Sequence, residues 1–551
     1  MRHAFDVRQN VSFRTLTGNK TGEKQSVRLC QSTTSQLPPI GSASVQAFTC
    51  EDDPETPRLM LATILPEARF FGCQDLGLAN VAADVKDCQP GDLVLYRIGE
   101  SDPNTLIAEA LARGASGLVT EQLLPCPLPQ CVVGSIDLAI AKITSAKRDS
   151  PDRKLLTVGV VGNSGKTSTC LLTATLTKAL GIRTAYQCDL GSSDGVVNET
   201  STRGLPVGAD LIEWIGESSD CLSRVAIIEI DEKAARDGHY DALRFDVLMV
   251  TGKRELADDY GPCGLQCLLD RLTPSGIVIA PEDDAKTMRV LDEAACHRIA
   301  YGTSSDSEFG AIMVDQSGGM STLMLSAGDT SAMMESPLCG IGMASNIAAT
   351  AAFGALLGHS LQDIAKHLTT LRSIPGRGQR LVDFGKATVV IETGGSVERV
   401  SHALRTAKAT GAGGRVWCVL SVGESECEET LASFGHTIER FAHHCVVTSK
   451  SHQSGSFLKR SHQVLDGVTE CAAIRLVADQ SKAIRWAIET SRPRDTVVLI
   501  TNQRDQTAHE ARTDLEAIKT LVASTRATID SDMSVEQDPC EGTPITLKLF
   551  P

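Results

Sequence analysis

Short apolar runs alternate with longer segments of helical periodicity through most of the chain. In its middle part the apolar runs are rich in β-branched residues and lie at 155–161, 225–230, 247–251 and 276–280. Helical patterns lie at 166–180, 345–357 and 361–371. Short runs that are apolar on both faces are typical of a parallel sheet covered by helices. The pattern therefore predicts an α/β domain built on a mainly parallel sheet.

The same alternation continues toward the C-terminus. Predicted strands lie at 387–391, 416–422, 445–448, 474–477 and 496–501, and predicted helices at 397–410, 428–442 and 481–489. Strands that alternate with helices in this way indicate a doubly wound, Rossmann-like sheet. Earlier in the chain, strands at 93–96 and 117–120 flank a helical pattern at 105–113, which indicates a further mixed α/β domain.

Turn-forming residues separate these three blocks. Asp149-Ser150-Pro151-Asp152 precedes the middle block and Ile374-Pro375-Gly376-Arg377 follows it, and both sequences favour turns. The predicted domains are 57–150, 151–376 and 377–523, with a leader at 1–56 and a tail at 524–551. Ser, Thr, Gln and Lys dominate the leader, which predicts poor order, and the tail has no helical or strand rhythm before residue 544.

Charge and composition narrow the classes of function. The 551 residues include 53 Lys and Arg against 68 Asp and Glu, a net charge of −15 that repels nucleic acid. The 18 cysteines form no C-x-x-C pair, so we expect reduced thiols, and strand packing explains His443-His444-Cys445 better than a metal site does. The most apolar segment, at 344–358, is shorter than the roughly 20 residues that span a bilayer, and no apolar signal segment is visible. We expect a cytoplasmic monomer without a membrane span.

The strongest local signal is a glycine-containing turn between a predicted strand and a predicted helix. It reads G-V-V-G-N-S-G-K-T-S-T from Gly159 to Thr169, and although Val160 stands where a strict P-loop has glycine, G-x-x-G-K-T is intact. Such glycines let backbone N–H groups wrap a phosphate, while Lys166 reaches the terminal phosphates and Thr167 ligates Mg²⁺. The predicted nucleotide-binding residues are Gly162, Asn163, Ser164, Gly165, Lys166, Thr167 and Ser168. The alternative is an ordinary Gly-rich turn with an exposed lysine.

A magnesium site of this kind also needs a carboxylate from across the sheet. Glu229 lies at the end of the apolar run that begins at Val225. It is therefore a candidate magnesium ligand together with Thr167. The alternative is a solvated carboxylate at the end of a strand.

With these motifs the sequence resembles the Mur ligases, and within them the members that add the third amino acid, usually diaminopimelate or lysine, to UDP-N-acetylmuramoyl-L-Ala-D-Glu. The resemblance covers about residues 59–522. It rests on motifs in the family's order: Pro90-Gly91-Asp92-Leu93, Gly159 to Thr169, Ile228-Glu229, Phe245-Asp246-Val247 with Thr251 and Asp259-Tyr260, Gly340 with Ser345-Asn346, and Pro375-Gly376-Arg377.

The resemblance implies an α/β protein of three domains: an N-terminal UDP-sugar-binding type, a central P-loop sheet that binds ATP and Mg²⁺, and a C-terminal ligase type. It implies a ligase that phosphorylates a substrate carboxylate and lets an amine attack the acyl phosphate. The substrates would be a UDP-N-acetylmuramoyl-peptide and an amino acid, in peptidoglycan synthesis for the cell wall, cell shape and cell division. By position, Lys166 and Glu229 would be catalytic, and Asn346 and Arg377 would contact the nucleotide.

Several positions depart from the family's motifs. Asp231-Glu232-Lys233 follow where the family has Ser-Ser-His, Leu256-Ala257-Asp258-Asp259 stand for Asp-His-Leu-Asp, Gln266 stands for a carbamylated lysine, and Glu392-Thr393-Gly394-Gly395 stand for Asp-Tyr-Ala-His. These changes favour an alternative, a catalytically degenerate paralogue that binds nucleotide or UDP-sugar in a regulatory or scaffolding role. A third interpretation is a P-loop enzyme with another acceptor. Whether the chain is an enzyme stays open at this point.

Overall fold

The computed structural model describes residues 59–78, 80–199, 204–252, 264–294, 296–411, 413–423, 426–450, 454–502 and 508–535. The predicted leader at 1–56 lies outside the described residues, as does the last part of the predicted tail. The chain forms two compact units, one ending at Val133 and the other beginning at Gly134. Within the described ranges, every helix is too short or too polar to cross a membrane.

The first unit is built on a small, mostly parallel sheet. Its strands are β1 Leu59–Met60, β2 Arg69–Phe71, β3 Gly77–Leu78, β4 Val81–Ala82, β5 Leu93–Tyr96, β6 Gly117–Thr120 and β7 Gln130–Val132, and its helices are α1 Leu61–Ile64, α2 Pro103–Ala112 and the 3₁₀ turn Val85–Asp87. Five strands pair in the order β2-β7-β6-β5-β4, and only β2 runs antiparallel to its neighbour. The predicted strands at 93–96 and 117–120 are confirmed, as is the helix between them.

The second unit begins with the central sheet. Its strands are β8 Leu156–Gly162, β9 Thr184–Cys188, β10 Gly191–Ser193, β11 Asn198–Glu199, β12 Val225–Glu229, β13 Phe245–Thr251, β14 Leu272–Pro281, β15 His297–Gly302, β16 Phe309–Ser317, β17 Met320–Ala327 and β18 Thr330–Ser336. Its helices are α3 Ile136–Lys147, α4 Lys166–Ala179, α5 Gly208–Asp220, α6 Glu232–Arg236, α7 Gly264–Leu269, α8 Ala285–Ala294, α9 Ile341–Leu356 and α10 Leu361–Leu368, with a 3₁₀ turn at Pro151–Arg153.

The central sheet is parallel over most of its width, as the apolar runs predict. Its order is β11-β10-β9-β12-β8-β13-β14-β15-β16-β17-β18, and the strands from β9 to β16 in this order are parallel. Val158, Ile227 and Met249 from the middle of the sheet are fully buried, and each such side chain contributes about 1.5–3 kcal/mol. The antiparallel strands β17 and β18 were not predicted, because buried and exposed positions alternate along them and no continuous apolar run marks them.

The C-terminal sheet of the second unit is doubly wound. Its strands are β19 Gln379–Leu381, β20 Thr388–Gly394, β21 Val416–Val422, β22 His444–Ser449, β23 Ile474–Asp479 and β24 Thr496–Asn502. Its helices are α11 Val397–Thr410, α12 Glu428–Phe441, α13 Ser454–Leu465, α14 Gln480–Thr490 and α15 Ala508–Val535, with a 3₁₀ turn at Cys471–Ala473. The order is β19-β20-β24-β21-β22-β23, with every pair parallel except β19 and β20. The predicted α/β class is confirmed.

The sequence shows no helical rhythm between residues 524 and 543, yet α15 continues to Val535. After residue 523, polar contacts help to hold this helix against the sheet. The guanidinium of Arg526 is buried and donates hydrogen bonds to the carbonyl oxygens of Leu381 (3.0 Å) and Ala387 (2.6 Å). Since Thr525 and Arg526 take the buried positions, apolar periodicity does not reveal this part of the helix.

The order of the central strands fixes where the predicted site residues meet. In β12 and β8, Glu229 lies opposite Val160, and in β13 and β8, Thr251 lies opposite Gly162. The carboxyl ends of these parallel strands therefore form one edge, which is where α/β sheets bind ligands.

Candidate active site

A phosphate-type loop connects β8 to α4. Gly162 ends the strand, and Gly165 caps the helix in the left-handed region at φ 84°. The first of the helical hydrogen bonds runs from the N–H of Thr169 to the carbonyl oxygen of Gly165 (2.8 Å). The N–H groups ahead of Thr169 are those that a helix leaves for an anion. The ammonium of Lys166 lies against the loop and donates to the carbonyl oxygen of Gly162 (2.9 Å).

The close approach of neighbouring atoms explains why residues 162 and 165 are glycine. A Cβ on Gly162, where φ is 139°, would lie 1.9 Å from the carbonyl oxygen of Thr251, and one on Gly165 would lie 2.4 Å from Oδ1 of Asn346. The end of β13 therefore packs on one side of the loop, and α9 packs on the other through Asn346. Asn346, which the resemblance assigns to nucleotide contact, therefore lies against this loop.

We expect Gly162→Ala to destabilise the second unit by about 3 kcal/mol or more, because a backbone clash adds to the cost of the left-handed conformation. The measurement is the melting temperature. Gly181→Ala is the matched control, since Gly181 also has positive φ (81°) but its Cβ would meet nothing within 4 Å. Equal losses in the two variants would show that close approach to Thr251 is not what requires glycine at 162.

A buried carboxylate lies beside the first turn of α4. The Thr167 hydroxyl donates to Oε1 of Glu229 (3.1 Å), and the N–H of Asp189, just after β9, donates to Oε2 (3.0 Å). Glu229 is only 2% exposed. Burial, followed by the negative charge of Asp189, raises the pKa of Glu229 to about 7, while Lys166 acts in the opposite direction. The positive charge near the Glu229 carboxyl therefore does not balance its burial and the charge of Asp189.

Thr167 and Glu229 fit a magnesium ion chemically. Both offer oxygen atoms, the donors that Mg²⁺ prefers, and a cation would relieve the electrostatic cost that raises the pKa of Glu229. Among the described residues, no three or more His, Cys, Asp or Glu side chains cluster as a metal site. A magnesium ion here would be completed by phosphate and water oxygens, which is usual for Mg²⁺ beside a nucleotide.

A cavity of about 370 Å³ opens between the loop and the C-terminal sheet. Five predicted residues line it: Ser164, Gly165, Ser168, Asn346 and Arg377. The other predicted residues, Gly162, Asn163, Lys166, Thr167 and Glu229, belong to the same loop, the same helix start and the end of β12. The structure thus brings together residues that are more than 200 positions apart in the chain.

Arg377 follows the predicted Pro-Gly boundary and reaches the strand end of β20. Its Nη1 donates to the carbonyl oxygen of Thr393 (3.4 Å). Glu392, the one carboxylate that the sequence keeps at this strand end, accepts from the N–H of Gly378 (2.6 Å). Burial raises the pKa of Glu392, and Arg377 and Arg399 oppose that rise.

Sequence reasoning missed three residues of the site: Asp189, Glu398 and Arg399. Asp189 follows a strand that the apolar pattern did not single out. Glu398 accepts a hydrogen bond from the Ser164 hydroxyl (3.2 Å), which ties the first turn of α11 to the phosphate-type loop. A signal for Arg399 exists, because Gly394-Gly395-Ser396 between β20 and α11 repeats the order of strand, glycine turn and helix.

One departure from the family motifs, Asp231, has a local structural role. The Asp231 side chain accepts from the N–H of Ala234 (2.8 Å) and thereby caps the short helix α6. Gln266 lies in α7. The acidic pair Asp258-Asp259 lies outside the described residues, as do Lys253 and Tyr260.

Comparison with known proteins gives a consistent result. The family profile described as "Mur ligase, glutamate ligase domain" matches residues 358–502. The UDP-N-acetylmuramoyl-L-alanyl-D-glutamate--2,6-diaminopimelate ligase of Thermosynechococcus vestitus is 26% identical over 428 residues, which are 75% of this chain and 86% of that protein.

Solved structures agree with the sequence comparison. A structure of a UDP-N-acetylmuramoyl-L-alanyl-D-glutamate--2,6-diaminopimelate ligase matches with a TM-score of 0.60 at 15% identity, covering 85% of this chain and 100% of the other. The MurF ligase from Thermotoga maritima, solved in complex with ADP, matches with a TM-score of 0.57 at 17% identity, covering 81% and 98%. The α/β fold of this chain is shared with these ligases. By sequence and by fold, the chain is thus similar to Mur ligases.

Proposed function

We propose that this protein is an ATP-dependent ligase that forms an amide bond between an amino acid and the carboxylate of a UDP-N-acetylmuramoyl-peptide or a closely similar precursor. One observation carries the proposal: the phosphate-type loop, the buried Thr167–Glu229 pair and the arginines of the C-terminal sheet converge on one site. A triphosphate needs this combination of N–H groups, cations and a metal-binding carboxylate.

The proposed reaction has two steps. A carboxylate oxygen of the precursor attacks the terminal phosphorus of ATP, the bond to the bridging oxygen breaks, and ADP leaves. The amine of the amino acid then attacks the carbonyl carbon of the acyl phosphate, inorganic phosphate leaves with the former carboxylate oxygen, and the nitrogen loses a proton. The products are an amide, ADP and phosphate.

In this proposal the residues of the chain position the substrates and neutralise their charge, and they form no covalent bond with them. We propose that the loop N–H groups and Lys166 hold the β- and terminal phosphates, and that Arg377 adds positive charge from the C-terminal sheet. Thr167 and Glu229 would hold a magnesium ion, which neutralises phosphate charge when bound. Asn346 and Ser168 line the same cavity and would contact the nucleotide.

The names of the relatives support a proposal for the cellular setting. Two of the proteins compared above are named as ligases of UDP-N-acetylmuramoyl precursors. We propose that this chain works as a cytoplasmic monomer in peptidoglycan synthesis, and through the cell wall in cell shape and division. In this proposal the first unit binds the UDP-sugar part of the precursor.

The test is ADP formation by the full chain with ATP, Mg²⁺, a UDP-N-acetylmuramoyl-dipeptide and a pool of amino acids. The proposal expects ADP release that requires both the precursor and an amino acid, together with an amide product of the corresponding mass. ATP hydrolysis that neither substrate stimulates would contradict this acceptor and indicate another one.

A second function has a specific observation in its favour. Asp231 caps α6, and Gly394 and Gly395 carry no side chains at the end of β20 and the start of its turn, so these positions differ from the polar groups that the family carries there. A degenerate paralogue that binds nucleotide or UDP-sugar in a regulatory or scaffolding role would show saturable nucleotide binding without ADP release under any substrate combination.

A further inference from the structure

Two arginine side chains beside the C-terminal sheet meet at one carbonyl group of β20. Nη1 of Arg377 lies 3.4 Å and Nη1 of Arg399 lies 3.2 Å from the carbonyl oxygen of Thr393. Both arginines also line the cavity that contains Ser164 and Gly165 of the loop. A single neutral acceptor is thus shared by two positive charges.

This arrangement is electrostatically incomplete. The charge of Arg377 is the main cause that lowers the pKa of Arg399 to about 10, burial adds to it, and Glu392 is the largest opposing influence. Among the residues that the structure describes, no group pairs with the buried Nε of Arg377. A buried donor without an acceptor destabilises the protein, and two guanidinium groups that share one carbonyl oxygen repel each other. An anion between the two guanidinium groups would remove both costs.

The local structure places this anion at the phosphate end of the site. Arg399 lies in the first turn of α11, where Ser396 caps the helix by accepting from the N–H of Arg399. The neighbouring Glu398 accepts a hydrogen bond from Ser164 of the loop. The charges of Glu229 and Asp189 also act on Arg399, so its guanidinium is within electrostatic reach of the carboxylates beside Thr167.

We propose that Arg399, acting with Arg377, binds the terminal phosphoryl group of the nucleoside triphosphate and is a catalytic residue of the proposed ligase. Guanidinium groups bind phosphate oxygens in a bidentate manner, and their charge opposes the negative charge that gathers on the phosphoryl oxygens during transfer. The catalytic role of Arg399 rests on the proposed function. Its contribution to triphosphate affinity, however, is measurable by binding alone.

The test compares two nucleotides that differ in the terminal phosphoryl group. ADP and the non-hydrolysable triphosphate AMP-PNP, each with Mg²⁺, are titrated by calorimetry into the wild-type full chain, Arg399→Gln and Arg399→Lys. We expect Arg399→Gln to weaken AMP-PNP binding about 10- to 100-fold while ADP affinity changes less than about twofold. Arg399→Lys should recover part of the loss, because it keeps the charge but not the fork geometry.

Lys408→Gln is the matched control, since it removes one positive charge from an exposed position on the same helix. Melting temperatures of all variants report on folding. If Arg399→Gln weakened the binding of ADP and of AMP-PNP equally, Arg399 would only support the backbone at Thr393, and the inference would be overturned. Unchanged binding of both nucleotides would also overturn it. A wild-type chain that binds neither nucleotide would overturn the proposed function itself, and the inference with it.

Discussion

Replacing Lys166 with Ala is expected to reduce the affinity for ATP and Mg²⁺ at least about 100-fold and to abolish ADP formation. Lys166 is the one cation in the first turn of α4, and its ammonium already lies at the loop through the carbonyl oxygen of Gly162. A bound triphosphate would bring several negative oxygens to this point, and the loss of one positioned cation typically costs about 10²- to 10³-fold in rate. Calorimetry with ATP and Mg²⁺, followed by an ADP assay, measures both effects.

Lys178→Ala is the control for this experiment, because Lys178 lies near the other end of the same helix with an exposed side chain. It should leave ATP affinity unchanged within about twofold. If Lys166→Ala bound ATP as tightly as Lys178→Ala, the loop would be an ordinary glycine-rich turn, and any nucleotide site would have to lie elsewhere in the chain.

The sequence predicts those parts of the site that are local in the chain. The residues from Gly162 to Ser168 are contiguous, and the change from apolar run to helical pattern defines the strand, the loop and the start of α4. Glu229 was found because it ends an apolar run, and strand ends of a parallel sheet share one edge. Arg377 was found through the resemblance to the Mur ligases, whose motif Pro375-Gly376-Arg377 matches.

Residues that become neighbours only through tertiary packing were not predicted. The glycine turn before α11 marks the start of this helix as a possible site, but it does not show whether Arg399 or Arg405 reaches the loop. The importance of Arg399 depends on the meeting of α11 with the loop, which involves Ser164 and Glu398 at a separation of 234 residues. Asp189 likewise matters only because β9 lies beside β12 in the sheet. Periodicity does not encode these long-range contacts.

The state of the Glu229 carboxyl determines how the site responds to pH. Its pKa rises from 4.5 to about 7 in the folded protein, chiefly through burial and then through Asp189. Between these two values the folded chain binds more protons than the unfolded chain, so the free energy of unfolding falls as pH rises through this window and is level above it. Removing the charge should therefore stabilise the protein without ligand at pH 8, and Glu229→Gln is expected to melt at a higher temperature than wild type.

The same substitution should impair function. A magnesium ion needs the ionised carboxylate, so wild-type affinity for ATP and Mg²⁺ is expected to increase from pH 6 to about pH 8, by about tenfold, and then to level off, with proton release on binding. Glu229→Gln should lose this pH dependence and form ADP at least about 100-fold more slowly.

Calorimetry in two buffers of different ionisation enthalpy measures the proton release, and Glu335→Gln, at an exposed position of β18, is the control. A variant that is more stable without ligand yet deficient in metal-dependent binding would show that the buried charge of Glu229 is kept for a cation. Wild-type binding that does not vary with pH, and survives in Glu229→Gln, would instead make this carboxylate part of the strand packing, and the magnesium site would need other ligands.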